Sequence, residues 1–232
     1  MISKSHAGLV RLHNEDCVVC EPTLPFAVLA DGMGGLLAGA QASEVAVAAV
    51  CRELRKPMSV AGDPQSLVSV LQVAHDAVAA AAKAMRYVGK MGTTLVVWAQ
   101  LADTACYAYV GDSRLYVYAD GHLSQVTRDH TLSQRKIQQG RLSPAQEMLS
   151  PDRHVLTQAV GLPGLFKADC GWVPAAERVL MCSDGLSDMV PAAEIEALMA
   201  TPNAEDCANY LLKAALDRGG QDNVSVVVID HP

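Results

Sequence analysis

The chain has 232 residues, half of them hydrophobic, and its 18 basic against 25 acidic side chains leave a formal charge of −7. A chain this apolar offsets its ordering entropy by burial, which excludes disorder, and its length suits one domain of roughly 200–250 residues. The acidic balance argues against coating nucleic acid or an anionic membrane, and no unbroken apolar run approaches the roughly 18–20 residues of a membrane span.

Residues 1–6 carry one lysine and no apolar signal core, so a cytoplasmic protein is the default expectation. Seven cysteines, an odd number lying mostly in apolar runs, read as reduced thiols. Cys17 and Cys20 have zinc-ligand spacing, but no second pair or histidine partner follows. In an extended segment their thiols would also face opposite ways. Residues 25–30 read as a strand. Alanine-rich helices follow over 38–54 and 66–88, the second with Leu67, Val70, Leu71, Ala74, Val78 and Ala81 at helical spacing. Strands are predicted at 93–100, 105–110 and 115–119, and Asp120-Gly121 turns the last of them into a hairpin with 123–126. Residues 129–154 are polar, with Pro144 and Pro151, and form a surface excursion with a short helix near 132–139. An insertion of this length in a compact domain is usually functional. A strand at 179–182, helices at 191–200 and 204–217 with Gly219-Gly220 as a stop, and a strand at 224–229 complete the chain. Hairpins outnumber helical crossovers, which favours antiparallel sheets covered by helices over a doubly wound parallel sheet.

The acidic residues fall at strand ends. Asp31-Gly32 closes one strand, Gly111-Asp112 another and Asp184-Gly185 a third, while Asp222-Asn223 opens the last. Each alone reads as an ordinary turn. If the four ends converge, the carboxylates repel unless a cation neutralises them, and an all-oxygen donor set points to Mg²⁺ or Mn²⁺ rather than zinc. A glycine after the aspartate leaves its carbonyl open to a metal. Upstream, Arg11 offers a planar fork for phosphate, and Glu15 and Asp16 offer carboxylates for metal or for water. An arginine for phosphate beside carboxylates for two metals suits phosphate-ester hydrolysis.

These residues carry a family resemblance. In order along nearly the whole chain stand Arg11 with Asn14-Glu15-Asp16, Ala30-Asp31-Gly32-Met33-Gly34-Gly35, Gly92-Thr93-Thr94-Leu95, Val110-Gly111-Asp112-Ser113-Arg114, Asp129-His130-Thr131, Leu156-Thr157-Gln158-Ala159-Val160-Gly161, Cys182-Ser183-Asp184-Gly185-Leu186 and Asp222-Asn223-Val224-Ser225. The chain resembles the metal-dependent type-2C serine/threonine protein phosphatases, in their compact bacterial form. The resemblance implies an α+β fold, a four-layer αββα sandwich of two packed antiparallel sheets flanked by antiparallel helix pairs. It implies a single catalytic domain over 1–232 with a flap at about 129–154. Asp31 would bridge two Mn²⁺ or Mg²⁺ ions with the Gly32 carbonyl on one of them, and Asp184 and Asp222 would complete the other. Asp112 with Asp184 would serve a weaker third ion. Arg11 would bind the substrate phosphate, with Glu15 and Asp16 beside the metal waters.

The implied activity is hydrolysis of phosphoserine and phosphothreonine in proteins by a hydroxide activated at the binuclear centre, reversing a Ser/Thr kinase. The implied partners are phosphoproteins and that kinase, with no nucleic acid or membrane, for a monomer. One departure is Met33, where many eukaryotic members have a proton-donating histidine. His13 and His130 are candidates for that task by proximity, although a structural or surface role is the expected one for each. Cys182 lacks the Cys-x₅-Arg loop of a cysteine phosphatase, since the sixth residue after it is Asp188. From Arg128 to Arg153, over the flap and the residue before it, Arg128, Arg135, Lys136, Arg141 and Arg153 stand against Asp129, Glu147 and Asp152, an excess that could steer phosphorylated segments. The rival readings are a catalytically silent phosphatase-fold module that binds phosphoproteins, and a metal-dependent phosphodiesterase or nuclease. The second is opposed by the acidic charge and the scarcity of aromatic residues.

Overall fold

Strands that are apolar without alternation demand burial on both faces, and the arrangement of sheets supplies it. The computed structural model describes residues 1–34, 37–56, 63–101, 104–164 and 166–230; Gly35 of the 30–35 motif lies outside them. The strands are β1 (Ile2–His6), β2 (Asp16–Glu21), β3 (Phe26–Met33), β4 (Gly92–Thr93), β5 (Leu95–Leu101), β6 (Thr104–Val110), β7 (Arg114–Ala119), β8 (His122–Gln125), β9 (Asp169–Trp172), β10 (Arg178–Cys182) and β11 (Val224–Asp230). One antiparallel sheet runs β1-β11-β10-β7-β8. The other runs β2-β3-β5-β6-β9, with β4 against β3.

Helices α1 (Leu37–Leu54) and α2 (Gln65–Ala84) cover the second sheet, and α6 (Ala192–Met199) and α7 (Ala204–Asp217) cover the first. The short helices α3 (Leu132–Gln138) and α4 (Pro144–Glu147) lie in the flap, and α5 (Asp184–Ser187) follows β10. The result is the expected four-layer αββα sandwich. In β3, Phe26, Val28 and Ala30 face α1 and α2, while Ala27 and Leu29 pack between the sheets. In β11, Val224, Val226 and Val228 face α7, and Val227 and Ile229 fill the centre. Cys17 and Cys20 follow the same alternation, one packing on the helix side of β2 and the other between the sheets.

The elements differ from expectation at a few places. β1, β2 and β9 were not expected as strands; they are partly exposed pieces that pair at the sheet margins. α2 ends at Ala84 rather than 88: the Met85 N–H bonds back to the Ala81 carbonyl, and Arg86 turns left-handed at φ 62°. Its alanine content gives α2 the length and mean hydropathy, 1.2, of a membrane span, the one such helix among the described residues. Its apolar stripe of Leu67, Val70, Leu71, Ala74, Val78 and Ala82 is nevertheless buried in the domain's own core. α7 has the expected bounds, with Asn203 capping it by accepting from the Glu205 and Asp206 amides at 2.8 and 3.1 Å. The β7–β8 turn places Asp120 and Gly121 both at positive φ, 51° and 79°, the primed-turn geometry that suits a two-residue hairpin.

Candidate active site

The acidic strand ends meet at one edge of the sandwich. Asp31 follows the five buried residues of β3, and its backbone is locked from both sides. Its N–H donates to Thr94 Oγ1 at 2.9 Å, and its carbonyl accepts from Thr93 Oγ1 and the Thr94 N–H at 2.8 and 2.9 Å. Asp112 follows Gly111, whose φ is 108° and where a Cβ would come within 2.7 Å of the Thr94 side chain. Asp184 opens α5, and Asp222 precedes β11. A Cβ on Gly185 would meet the Asn223 carbonyl at 1.9 Å, so glycine there brings the Asp184 and Asp222 segments together.

The N-terminal loop closes over this edge. Asn223, buried to 5% exposure, donates through Nδ2 to the carbonyls of Ala7 and His13 at 3.0 and 2.9 Å. Its Oδ1 accepts from the Glu15 N–H at 2.7 Å. One side chain thus staples both ends of the loop. The Glu15 carbonyl accepts from the Gly32 N–H and Ser43 Oγ at 3.1 and 2.6 Å. Its carboxylate lies against Gly39, where a Cβ would come within 1.9 Å of Oε2. Arg11 donates to Asp222 Oδ2 at 2.7 Å.

Arg11, Glu15, Asp31, Gly32, Asp112, Asp184 and Asp222 line one cavity of about 610 Å³. Asp16 lies behind its wall, with Oδ2 accepting from Ser183 Oγ at 2.9 Å, while its buried Oδ1 has no hydrogen-bond partner among the described residues. Burial raises the carboxyl pKa of Glu15, Asp16, Asp31, Asp112 and Asp184, and repulsion from neighbouring carboxylates adds to it. Asp31 stands well above the ordinary carboxylate range through burial and then its neighbours Asp16, Asp184, Asp112 and Asp222. Asp112 is likewise well raised, by burial and then Asp184. Asp184 is pushed up to about 6 by burial, Asp188 and Asp222, and hydrogen-bonds to Asp31. Asp16 is pushed up to about 7, chiefly by burial. Buried anions crowded in this way need protons or cations, and the oxygen-only donors with an orphaned buried carboxylate oxygen fit hard divalent ions.

Met33 lines the same cavity, as do His13 and His154. His130 does not. Its ring stacks on Tyr109 at 4.8 Å, Nδ1 accepts from the Gly111 N–H at 3.1 Å, and Nε2 meets Asp169 at 3.2 Å, so it braces the turn before Asp112 instead of offering a proton. His154, Asn223 and Asp188 went unrecognised in the sequence. Asn223 stood inside a motif, but His154 and Asp188 are brought to the site only by the fold. His154 Nδ1 lies 3.4 Å from Asp188 Oδ2, and the ligand atoms of His154, Asp184 and Asp188 all fall within 4.8 Å of one another. Of the basic residues from 128 to 153, Lys136 pairs with Asp152 and Arg153 with Asp188, leaving Arg128, Arg135 and Arg141 without an ion pair among the described residues.

This geometry can be set against known proteins. The protein phosphatase 2C family model matches residues 12–217. The chain belongs to the protein phosphatase 2C family. The serine/threonine protein phosphatase PstP of Mycobacterium tuberculosis is 35% identical over 98% of this chain, which spans 44% of that protein's length. The serine/threonine phosphatase stp of Listeria monocytogenes is 30% identical over 98% of this chain and 94% of its own length. The catalytic domain of PstP, solved in complex with two manganese ions, superposes with a TM-score of 0.86 at 32% identity, covering 99% of this chain and 96% of that one.

Proposed function

We propose that the chain is a single catalytic domain, 1–232 with a flap at about 129–154, that hydrolyses phosphoserine and phosphothreonine in proteins and so reverses a Ser/Thr kinase. The observation that carries this reading is the convergence of Asp31, Asp112, Asp184 and Asp222 on one cavity beside Arg11. Asp31, the Gly32 carbonyl, Asp184 and Asp222 would hold a pair of Mn²⁺ or Mg²⁺ ions, and Asp112 with Asp184 would serve a third. When bound, such ions supply Lewis acidity, lowering the pKa of water and offsetting charge at phosphorus.

Arg11 takes the phosphoryl oxygens in its planar fork, and its 2.7 Å bond to Asp222 holds it ready over the cavity. Glu15 and Asp16 orient the residues and water around the centre, Glu15 through its backbone grip on Gly32 and Asp16 through Ser183. Met33 has no proton to give the leaving alkoxide, and of the histidines, His13 and His154 reach the cavity wall. Cys182 is no nucleophile: it is fully buried in β10, and burial pushes its thiol up to about 12. The working form is a cytoplasmic monomer acting on phosphoproteins and on a cognate kinase, with no nucleic-acid or membrane partner.

Phosphate release from a phosphothreonine peptide, measured with Mn²⁺, with Mg²⁺ and with EDTA, tests the proposal against an Asp184→Asn control. Release that requires metal and is lost in the variant is the expected result. Full activity in EDTA or in Asp184→Asn would remove the metal assignment.

A further inference from the structure

Two rims of the cavity carry apolar side chains that the rest of the molecule does not cover. Val10 and Leu12 flank Arg11, line the cavity, and are 65% and 87% exposed. Their exposure is not the slack of a loose loop. Asn223 staples the loop at Ala7, His13 and Glu15, and the Leu9 N–H donates to the Gly220 carbonyl at 2.7 Å. Across the centre, Met148 of the flap is 73% exposed and lines an adjoining cavity of about 480 Å³. The two cavities share Asp112, His154 and Asp184, so they form one trough with an apolar lip at each side and the carboxylates between.

Single exposed apolar residues need no explanation, but paired lips facing a charged floor mark a surface meant to be covered. We infer that Val10 and Leu12 on one rim and Met148 on the other select the residues flanking the phosphoresidue, so that the preferred substrate is a phosphorylated segment with an aliphatic or aromatic side chain on each side. This rests on the phosphoprotein phosphatase reading and deepens it. The occupant is an extended phosphopeptide because the lips continue directly into the cavity that takes its phosphate. A phosphate group seated at Arg11 places its neighbours in the chain over the two rims.

The test uses matched phosphothreonine peptides carrying leucine or serine before, after, or on both sides of the phosphoresidue, with initial rates measured in Mn²⁺. The wild-type protein is expected to favour leucine about tenfold in kcat/KM at each flank, expressed in KM, and tenfold corresponds to about 1.4 kcal/mol. Leu12→Ser removes the preference at one flank, Met148→Ser removes it at the other, and Leu12→Met restores the first. Both side chains are exposed, so the variants fold. Turnover of all peptides without preference, a preference unmoved by both variants, or two variants acting on the same flank would overturn this inference alone. Absence of phosphate release from every peptide and from p-nitrophenyl phosphate would overturn the phosphatase reading and this inference with it.

Discussion

The loop at 7–15 and the flap at 129–154 border the same trough but are held by different physics. The loop hangs on a buried, neutral side chain, Asn223, whose three hydrogen bonds at 2.7–3.0 Å fix both of its ends. The flap is rooted by neutral backbone bonds such as His130 N–H to the Gly111 carbonyl at 3.0 Å, and adds ion pairs to them. Arg153 and His154 both reach Asp188, Lys136 meets Asp152, and Arg114 holds Asp129 at the flap's root with Nη2–Oδ2 at 2.7 Å. Buried neutral hydrogen bonds are insensitive to salt, whereas partly exposed ion pairs weaken as it screens them. Salt is therefore expected to loosen the flap's ion pairs and the Arg11–Asp222 pair before it loosens the ends of the loop.

Breaking the staple has the largest expected effect. Asn223→Ala leaves the Ala7 and His13 carbonyls and the Glu15 N–H without their partner, at a cost of about 1–3 kcal/mol in stability for each group left buried and unpaired. With Arg11 no longer held over the floor, kcat/KM on a phosphothreonine peptide is expected to fall about a hundredfold, since small misplacements are costly in catalysis. Wild-type kinetics in this variant would show that the loop does not depend on Asn223.

The floor between the two flanks responds to pH. The native carboxyls of Asp184 and Asp16 titrate near 6 and 7 instead of 3.8, so between these values the folded state binds more protons than the unfolded one. Stability of the metal-free protein therefore falls as pH rises from about 4 to about 7. A thermal melt in EDTA should lose about 5 °C or more from pH 5 to pH 8, given about 2–4 °C per kcal/mol for a chain this long. Saturating Mn²⁺ should cancel that loss, because a cation takes over from the protons. An EDTA melt that rises with pH would contradict the assigned cluster.

Loosening the flap has the smallest effect. Asp188→Asn releases Arg153 and His154 together, and a threefold rise in KM with little change in Tm is expected, since partly exposed pairs contribute about 0–1 kcal/mol. The salt dependence of KM should flatten in this variant. An unchanged salt response would show that the flap is not held by charge.

Much of this arrangement was legible in the chain. The Asp120-Gly121 turn, the bounds of α7 and the two-sided burial of β3 and β11 follow from local chemistry, because hairpin turns, caps and apolar runs act over a few residues. Each of Asp31, Asp112, Asp184 and Asp222 was visible as a strand-end carboxylate, and their order along the chain pointed to the family. β1 and β9 escaped notice because Ser3, Lys4 and Gly171 do not read as strand formers; pairing at the sheet margins makes them so.

The sequence by itself determined which carboxylates and which arginine were available at strand ends and in the N-terminal loop, and that crowding them would call for cations, because residue type sets donor atoms and charge. Its hairpins and apolar runs also pointed to antiparallel sheets covered by helices, while the four-layer αββα order came from the family resemblance and from the fold itself. Only the tertiary structure decided that Asn223 staples the loop, that His130 turns away to Tyr109 while His154 comes to the wall, and that Asp16 sits behind the cavity with one oxygen unpaired. These are contacts between residues dozens to hundreds of positions apart. No local pattern encodes them, since their partners are chosen by how the two sheets pack.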